Sequence, residues 1–126
     1  MTKPLNAVNV FAVVLGIYLT VEGTLGLFNP LLFGLFSTNT LHTLIHILLG
    51  VSGIYAGLRN HARKFCYFTG FLLLVVGLLF FVPPIEPLLI KLFNLNKAVA
   101  IFNIIVGIVA ILFAMLTPKR AVPGRH

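Results

Sequence analysis

The chain has 126 residues, of which 60% are hydrophobic and only 9% charged, with a mean hydropathy of +1.11 and a formal net charge of +7. A soluble globular domain carries about 25% charged residues, so this composition excludes an ordinary soluble fold and indicates a protein whose solvent is lipid. The basic residues lie at the ends of apolar segments rather than in a patch among aromatic residues, which argues against a nucleic-acid partner.

Four apolar segments of about 20 residues predict four transmembrane helices. They cover residues 5–28, 40–58, 65–82 and 97–117, and a basic tail follows at 118–126. The first segment is longer than the apolar core of a signal peptide, about 7–15 residues, and lacks a cleavage site, so we interpret it as a retained span. The whole chain, 1–126, is therefore predicted to be one all-α transmembrane domain.

The distribution of positive charge predicts how these spans are oriented. Seven basic residues fall on one side of the four-span arrangement, and only Lys91 and Lys97 fall on the other. The positive-inside rule then places both termini in the cytoplasm. The seven residues are Lys3, Arg59, Arg63, Lys64, Lys119, Arg120 and Arg125.

An internal repeat relates the two halves of the chain. The segment "LLFGLFSTN" at 31–39 aligns with "LLIKLFNLN" at 88–96 at an offset of 57 residues, and upstream the offset is 54. We expect two tandem helical hairpins that enter the membrane from the same side, which makes the repeat parallel. The glycines align with small residues at these offsets: Gly16 with Gly70, Gly23 with Gly77, Gly50 with Gly107, Gly53 with Ala110, and Gly57 with Ala114.

The two outer connectors begin with the same helix-start pattern. Asn29 precedes Pro30, and Glu86 precedes Pro87, which favours a helix with proline in its first turn. Each connector is therefore predicted to form a short interfacial helix on the outer leaflet. Asn39 and Asn96 are predicted to cap spans two and four, because their short side chains can accept from unpaired backbone N–H groups.

Small residues line one face of spans two and four. Helices in lipid associate by close packing of small residues rather than by hydrophobic burial. The Gly53-x-x-x-Gly57 spacing is compatible with a dimerisation face, whereas the repeat favours an internal contact between spans two and four. The predicted packing residues are Gly50, Gly53, Gly57, Gly107, Ala110 and Ala114.

A buried polar cluster is expected near the outer ends of the spans. Glu22, His46 and Asn103 all lie about 10 Å inside the outer boundary at 1.5 Å rise per residue. An unpaired carboxylate inside a membrane costs about 2.5–3.5 kcal/mol on insertion scales, so Glu22 needs a partner or a proton. His46 is the expected partner, and His42 shares its helix face one turn away. The predicted cluster is Glu22, His42, His46 and Asn103, with Tyr18, Thr20 and Thr24 as weaker candidates.

Several chemistries are compatible with this cluster. A metal ion could be held by His42, His46 and Glu22, since an i, i+4 histidine pair can bind one ion. The other options are a haem with two axial histidines, a proton relay through Glu22 and His46, and a hydrogen-bonded cluster that fixes helix packing. We favour the last, and therefore assign no catalytic residue, metal or cofactor. The single cysteine, Cys66, excludes an intrachain disulfide and a cysteine metal cluster.

The segment "PLLFGLFSTNTLHTLIHILLGVSGIYAG" resembles the signature of a bacterial family of four-helix membrane proteins, the domain of unknown function 4383 family. The residues that carry the resemblance are "LLFGLF", Asn39, His42, His46 and Gly50. The likeness extends over nearly the whole chain, including the glycines of span one. It implies a bacterial membrane protein and no particular activity.

These features together predict a small non-enzymatic protein of the bacterial inner membrane. Its expected role is that of a structural or accessory subunit of a membrane complex, or a homo-oligomer, with the lipid bilayer and other membrane subunits or copies of itself as partners. One alternative is a small proton-coupled transporter that uses Glu22 and His46. A second alternative is a metal or cofactor holder at His42 and His46.

Overall fold

A computed structural model describes residues 6–117 of the protein, and the predicted tail at 118–126 lies outside them. The elements are α1 (Ala7–Gly26), β1 (Leu31–Leu32), β2 (Phe36–Ser37), α2 (Thr40–Leu58), α3 (Ala62–Leu79), α4 (Glu86–Phe93) and α5 (Lys97–Leu116). The fold is mostly helical, and α1, α2, α3 and α5 are long and apolar enough to span a membrane, as the sequence predicts.

The third long helix begins and ends three residues earlier than the predicted span of 65–82. It ends early because Pro83 disfavours helical backbone at Val82. The chain there leaves the helix through tighter turns, with the N–H of Val82 donating to the Leu79 carbonyl at 3.0 Å. It begins early because the long side chains of Arg63 and Lys64 can occupy the first turn while their charges reach the lipid headgroups.

The long helices associate in two pairs, α1 with α2 and α3 with α5. In the first pair a Cβ atom added at Gly16 would lie 2.5 Å from the Gly50 carbonyl oxygen. In the second pair a Cβ atom added at Gly70 would lie 2.8 Å from the Gly107 carbonyl oxygen. Gly16 and Gly70 are related by the offset of 54, and Gly50 and Gly107 by the offset of 57. The two helix pairs therefore pack through corresponding backbone contacts.

The predicted contact between the small-residue faces of α2 and α5 is wrong. Gly50 and Gly57 face α1, and Gly53 lies against Phe65 of α3 and the Ala12 carbonyl of α1. Close backbone approach requires small residues on both partners, and α1 and α3 supply them for α2 and α5 respectively. The corresponding residues of α5 are also buried within the bundle: Gly107 meets Gly70 and Leu74 of α3, Ala110 lies beside Gly70, and Ala114 belongs to the apolar core.

The predicted helix in the first connector is wrong as well. Residues 31–37 form two short antiparallel strands, with Leu31 opposite Ser37 and Leu32 opposite Phe36. The turn between them has positive φ at Phe33, 56°, and at Gly34, 67°, a conformation that a helix excludes and glycine accepts readily. The second connector has Lys91 at the position of Gly34, and it forms the helix α4.

The predicted capping asparagines each precede a long helix. The Oδ1 atom of Asn39 accepts from the backbone N–H of His42 at 2.9 Å. The Oδ1 atom of Asn96 accepts from the backbone N–H of Val99 at 2.9 Å. Each asparagine therefore satisfies one of the donors that the first turn of a helix leaves unpaired.

The amide groups of the same two asparagines also join the connectors to each other. Nδ2 of Asn39 donates to the Leu92 carbonyl at 2.9 Å, and Nδ2 of Asn96 donates to the Leu35 carbonyl at 2.9 Å. Leu35 and Leu92 differ by 57 residues, as do Asn39 and Asn96, so the two bonds are reciprocal. Asn94, which ends α4 in a left-handed conformation, adds a bond from its Nδ2 to the Thr38 carbonyl at 2.8 Å.

The opposite end of the bundle contains the start of α1, the α2–α3 loop and the end of α5. Nδ2 of Asn9 donates to Oδ1 of Asn60 at 2.6 Å, which ties α1 to the loop. Nε of Arg63 donates to the Thr117 carbonyl at 3.2 Å, which ties α3 to the end of α5. The two connectors therefore lie at one end of the molecule and the basic loop at the other.

Candidate functional site

Four side chains of α1 and α2 form a continuous line of hydrogen bonds inside the bundle. The Tyr18 hydroxyl donates to Oε2 of Glu22 at 2.8 Å. Oε1 of Glu22 lies 2.6 Å from Nδ1 of His46, and Nε2 of His46 lies 2.9 Å from Nε2 of His42. We call these four residues the polar line.

Helical spacing and one glycine place the polar line. Tyr18 and Glu22 are four residues apart on α1, and His42 and His46 are four apart on α2, so each pair shares one helix face. Gly23, next to Glu22, lies directly against α2, since a Cβ atom there would be 2.6 Å from Cγ1 of Ile47. This close approach brings the carboxylate within reach of the imidazole.

Three members of the polar line are buried inside the protein, whereas Tyr18 is partly exposed. The exposed fractions are 4% for Glu22, 6% for His42 and 7% for His46. Breaking a buried hydrogen-bonded charge pair is costly because the remaining group is left unpaired in a low-dielectric medium. The contact between Glu22 and His46 therefore joins α1 to α2, and removal of either partner would leave the other buried and unpaired.

The hydrogen atoms of the polar line can be placed in two arrangements, or orders, which differ in whether Glu22 is ionised or protonated. With Glu22 ionised, Nδ1–H of His46 donates to the carboxylate and Nε2–H of His42 donates to Nε2 of His46. With Glu22 protonated, the line holds one proton more: the Glu22 O–H donates to Nδ1 of His46, the Nε2–H of His46 donates to Nε2 of His42, and His42 carries its own proton on Nδ1. Both orders use the same heavy-atom distances, so the geometry is compatible with protons moving along the line.

The His42 end of the polar line lies beside the connectors. The ring of His42 is 6.3 Å from that of Phe93 between centroids, and the Phe93 backbone carbonyl lies close by. A cavity of about 10 Å³, near the size that one water molecule needs, borders Glu22, His42, Ser37 and Thr38. The line therefore ends next to polar groups of the first connector.

Asn103, the fourth member of the predicted cluster, does not join the polar line. It is 3% exposed, and its Oδ1 atom has no hydrogen-bond partner among the described residues. It lines a separate cleft with His42 and His46. Of the weaker candidates, Tyr18 joins the line, whereas Thr20 and Thr24 donate to carbonyls of their own helix at 2.8 Å.

Sequence reasoning did not find the bonds between the connectors. Asn94 and the second role of Asn39 and Asn96 depend on two loops meeting that are more than fifty residues apart in the chain. The sequence did contain a signal for these bonds, since Asn39 and Asn96 occupy equivalent positions in the repeat. Their capping role uses only Oδ1, so the donor group Nδ2 of each amide was left unassigned.

The histidine pair does not form part of a larger metal-binding group in the part of the chain that the structure describes. There, no set of three or more His, Cys, Asp or Glu side chains is arranged to hold an ion. Glu22 bonds the Nδ1 side of His46, away from the paired Nε2 atoms. Binding of a metal at His42 and His46 stays a prediction that elemental analysis of the purified protein can test.

The family model for "Domain of unknown function (DUF4383)" matches residues 9–116. The chain belongs to this family. The match covers all four long helices, both connectors and the polar line, and it confirms the resemblance carried by the Asn39, His42, His46 and Gly50 pattern. A comparison with curated proteins and one with solved structures gave no match. The family description names no activity, so function has to be argued from the site.

Proposed function

We propose that this protein is a non-enzymatic subunit of the bacterial inner membrane, acting as an accessory component of a membrane complex or as a homo-oligomer. The observation that carries the proposal is the polar line, whose four side chains bond to one another inside the α1–α2 pair. Hydrogen bonds between buried side chains of neighbouring helices serve to fix helix packing. A rigid unit with an apolar exterior is suited to lateral association in the bilayer.

The surface between α1 and α5 is the proposed site of that association. A groove of about 340 Å³ runs along it, lined by Phe11, Val14, Tyr18, Phe102 and Ile105 among others. Side chains of a neighbouring helix can insert into a groove of this kind and gain the close packing that holds helices together in lipid. Other membrane subunits or a second copy of the chain are the proposed partners.

Two further features belong to this proposal. We propose a tandem repeat of two parallel hairpins, supported by the corresponding contacts of Gly16 with Gly50 and of Gly70 with Gly107. We also propose that both termini are cytoplasmic, supported by the shared end of α1, α5 and the basic α2–α3 loop. The connectors, including the interfacial helix α4, then lie at the outer leaflet.

The oligomer is tested by native mass spectrometry of the protein released from membranes in lipid nanodiscs. We expect the intact chain as a dimer or higher oligomer, or with a co-purifying protein. Val14→Phe fills the groove and is expected to reduce the associated fraction. A strictly monomeric protein with no companion would reject the proposal.

Leu48→Phe is the matched control for this experiment. Leu48 is 68% exposed on α2 and does not line the groove, so the same increase in side-chain size should leave association unchanged. Equal loss of association in both variants would show that the groove is not the contact surface.

A second candidate function, proton-coupled transport, is favoured by the two proton orders that the polar line permits. The line gives an uninterrupted path from Tyr18 to His42, whose outer end borders the small cavity beside the first connector. Glu22 is then the group that gains and loses the transported proton, and His46 passes it on.

Proton flux into liposomes that contain the purified protein tests this candidate under an imposed potassium diffusion potential. Transport through the line predicts a flux that Glu22→Gln and His46→Phe abolish and that Thr24→Ala, at an exposed position of α1, leaves unchanged. No flux in the parent, or an equal flux in Glu22→Gln, would remove the transport function while leaving the subunit proposal standing.

A further inference from the structure

The end of the molecule that carries the α2–α3 loop holds three cations close together in the chain. Arg59 follows α2, and Arg63 and Lys64 lie in the first turn of α3. Arg59 and Lys64 are exposed, and Arg63 is half-buried. We call these three residues the basic cluster.

No acidic side chain of the protein lies near enough to neutralise the basic cluster. The chain has two acidic residues, Glu22 and Glu86. Glu22 is paired with His46, and it lies about 20 Å along α1 from Asn9, which contacts the loop at Asn60. Glu86 begins α4 in the second connector, at the opposite end of the bundle. Charges so far apart are screened, since the Debye length in physiological salt is about 8 Å, and the cluster therefore needs anions from outside the chain.

Each arginine of the cluster is held over an aromatic ring of the adjoining helix. The guanidinium carbon of Arg59 lies 5.8 Å from the centroid of the Tyr55 ring, and that of Arg63 lies 5.1 Å from the centroid of the Tyr67 ring. A contact of this kind orients the guanidinium through the face of the ring and does not use its N–H donors. Tyrosine is enriched where a membrane meets water, so both cations lie where the lipid headgroups begin.

The half-buried arginine keeps donors for an anion. Nε of Arg63 donates to the Thr117 carbonyl at 3.2 Å, which fixes the side chain between α3 and the end of α5. A carbonyl carries no net charge, so this bond leaves the cation unneutralised. The two terminal nitrogens of the guanidinium can still present a pair of N–H groups to two oxygens of a phosphate.

We propose that the basic cluster binds the headgroup of an anionic phospholipid with two phosphates, of the diphosphatidylglycerol class. One phosphate pairs with Arg59, and the other pairs with Arg63 and Lys64. A headgroup that carries both phosphates fills both positions in one binding event, because the first contact holds the second phosphate at a high effective concentration. This proposal goes beyond the subunit role and depends neither on the groove nor on the polar line.

The composition of the loop favours a lipid over an acidic protein partner. Clusters of Lys and Arg beside membrane-spanning helices are attracted to anionic headgroups. The segment "RNHARK" at 59–64 has one apolar residue, Ala62, which is fully buried in the bundle. The loop therefore lacks the apolar core that a protein–protein interface requires.

Binding is tested by native mass spectrometry of the full-length protein released from nanodiscs. The nanodiscs contain phosphatidylcholine with diphosphatidylglycerol and twice its molar amount of phosphatidylglycerol, so that the two anionic lipids supply equal charge. We expect one diphosphatidylglycerol to be retained per chain, in preference to phosphatidylglycerol. Arg59→Gln is expected to weaken this binding about fivefold, the effect of one basic residue near an anionic surface. It leaves the bond between Arg63 and Thr117 in place, so the bundle should stay intact.

Two further variants separate a built site from general attraction. Lys91→Gln removes the same charge at the opposite end of the molecule, at the end of α4, and should leave retention unchanged. Arg63→Lys keeps the charge but loses the planar fork of donors. It is therefore expected to lose part of the preference for diphosphatidylglycerol over phosphatidylglycerol.

Equal retention of the two anionic lipids, or equal losses in Arg59→Gln and Lys91→Gln, would mean general attraction to negative charge and would overturn the proposal. A co-purifying protein that is lost in Arg59→Gln, with no lipid retained, would assign the cluster to a protein partner and overturn it as well. A monomeric protein that retains one diphosphatidylglycerol would reject the subunit role and support this proposal.

Discussion

Glu22 is the residue on which the polar line depends. It accepts from Tyr18 through Oε2 and pairs with His46 through Oε1, and this second bond is the one that joins α1 to α2. Tyr18 and His42 are the ends of the line, so their loss removes one bond each. The loss of Glu22 leaves both a hydroxyl and an imidazole without partners between helices that cross a membrane.

We therefore expect Glu22→Ala to lower the free energy of unfolding by about 1–3 kcal/mol, because two buried groups lose their partner. Tyr18→Phe removes one hydrogen bond within α1 and should cost about 0.5–1.5 kcal/mol, the net contribution of a typical intramolecular hydrogen bond. Unfolding by denaturing detergent in bicelles, followed by circular dichroism, measures both.

Thr24→Ala is the control for these two variants. The Thr24 hydroxyl is exposed and donates only to the Thr20 carbonyl of its own helix, so a change within about 0.5 kcal/mol is expected. If Glu22→Ala were as mild as Thr24→Ala, the polar line would not contribute to helix packing.

At the scale of elements, backbone contact through glycine decides which helices pair. The α1–α2 and α3–α5 pairs both bring a glycine of one helix against a carbonyl of the other. The two long helices with small-residue faces, α2 and α5, do not use those faces on each other. Between them lies the cleft that contains Asn103.

Gly50→Ala tests the α1–α2 contact. A Cβ atom at this position would lie 2.7 Å from the Gly16 carbonyl oxygen, so the helices must separate. Overpacking costs about 1–3 kcal/mol, and the higher helix propensity of alanine returns up to about 1 kcal/mol. We expect a net loss of about 1–2 kcal/mol in unfolding free energy, measured as for Glu22.

Gly107→Ala is the matched variant in the second pair, because its added Cβ atom would lie 2.7 Å from the Gly70 carbonyl oxygen. A similar loss is expected there. Ser52→Ala, at an exposed position of α2, should change stability little. A neutral or stabilising Gly50→Ala would contradict the observed packing of α1 on α2.

At the scale of the whole molecule, the connectors join the two helix pairs. Asn39 and Asn96 each cap their own helix with Oδ1 and reach the other connector with Nδ2. These reciprocal bonds hold together halves that are otherwise linked by the α2–α3 loop and by lighter helix contacts.

Two substitutions at Asn39 separate its two roles. Serine can still cap α2 but cannot donate to the Leu92 carbonyl, so Asn39→Ser should cost about 0.5–1.5 kcal/mol of unfolding free energy. Asn39→Ala also loses the cap, which adds about 0.5–2 kcal/mol. Asn29→Ser, in the same connector, is the control. Equal stability of Asn39→Ser and the parent would show that the bond between connectors contributes nothing.

The proposed orientation is tested by labelling single cysteines on intact cells with a membrane-impermeant maleimide, in a Cys66→Ala background. Phe33→Cys, in the first connector, should label from outside. His61→Cys, in the basic loop, should label only after permeabilisation, because the positive-inside rule keeps this loop in the cytoplasm. The reverse pattern would invert the proposed topology.

Hydropathy, glycine spacing and repeat offsets were enough to predict four apolar helices, the positions of Asn39 and Asn96, and Glu22 with His46 as partners. These features follow from helical periodicity and from the cost of an unpaired charge in lipid, both of which are local. The family resemblance came from the same residues around His42 and Gly50.

Three features did not follow from the local sequence pattern. The first connector forms a pair of strands with positive φ at Phe33 and Gly34. Its flanking residues nevertheless match those of the helix in the second connector. Close contacts at glycines of α1 and α3 pair α2 with α1 and α5 with α3, rather than α2 with α5. The Oδ1 atom of Asn103 has no hydrogen-bond partner among residues 6–117, and Val76 stands where the first half has an acid. Periodicity tells which face of a helix is small or polar, but the helix that covers that face depends on how all the backbones pack together.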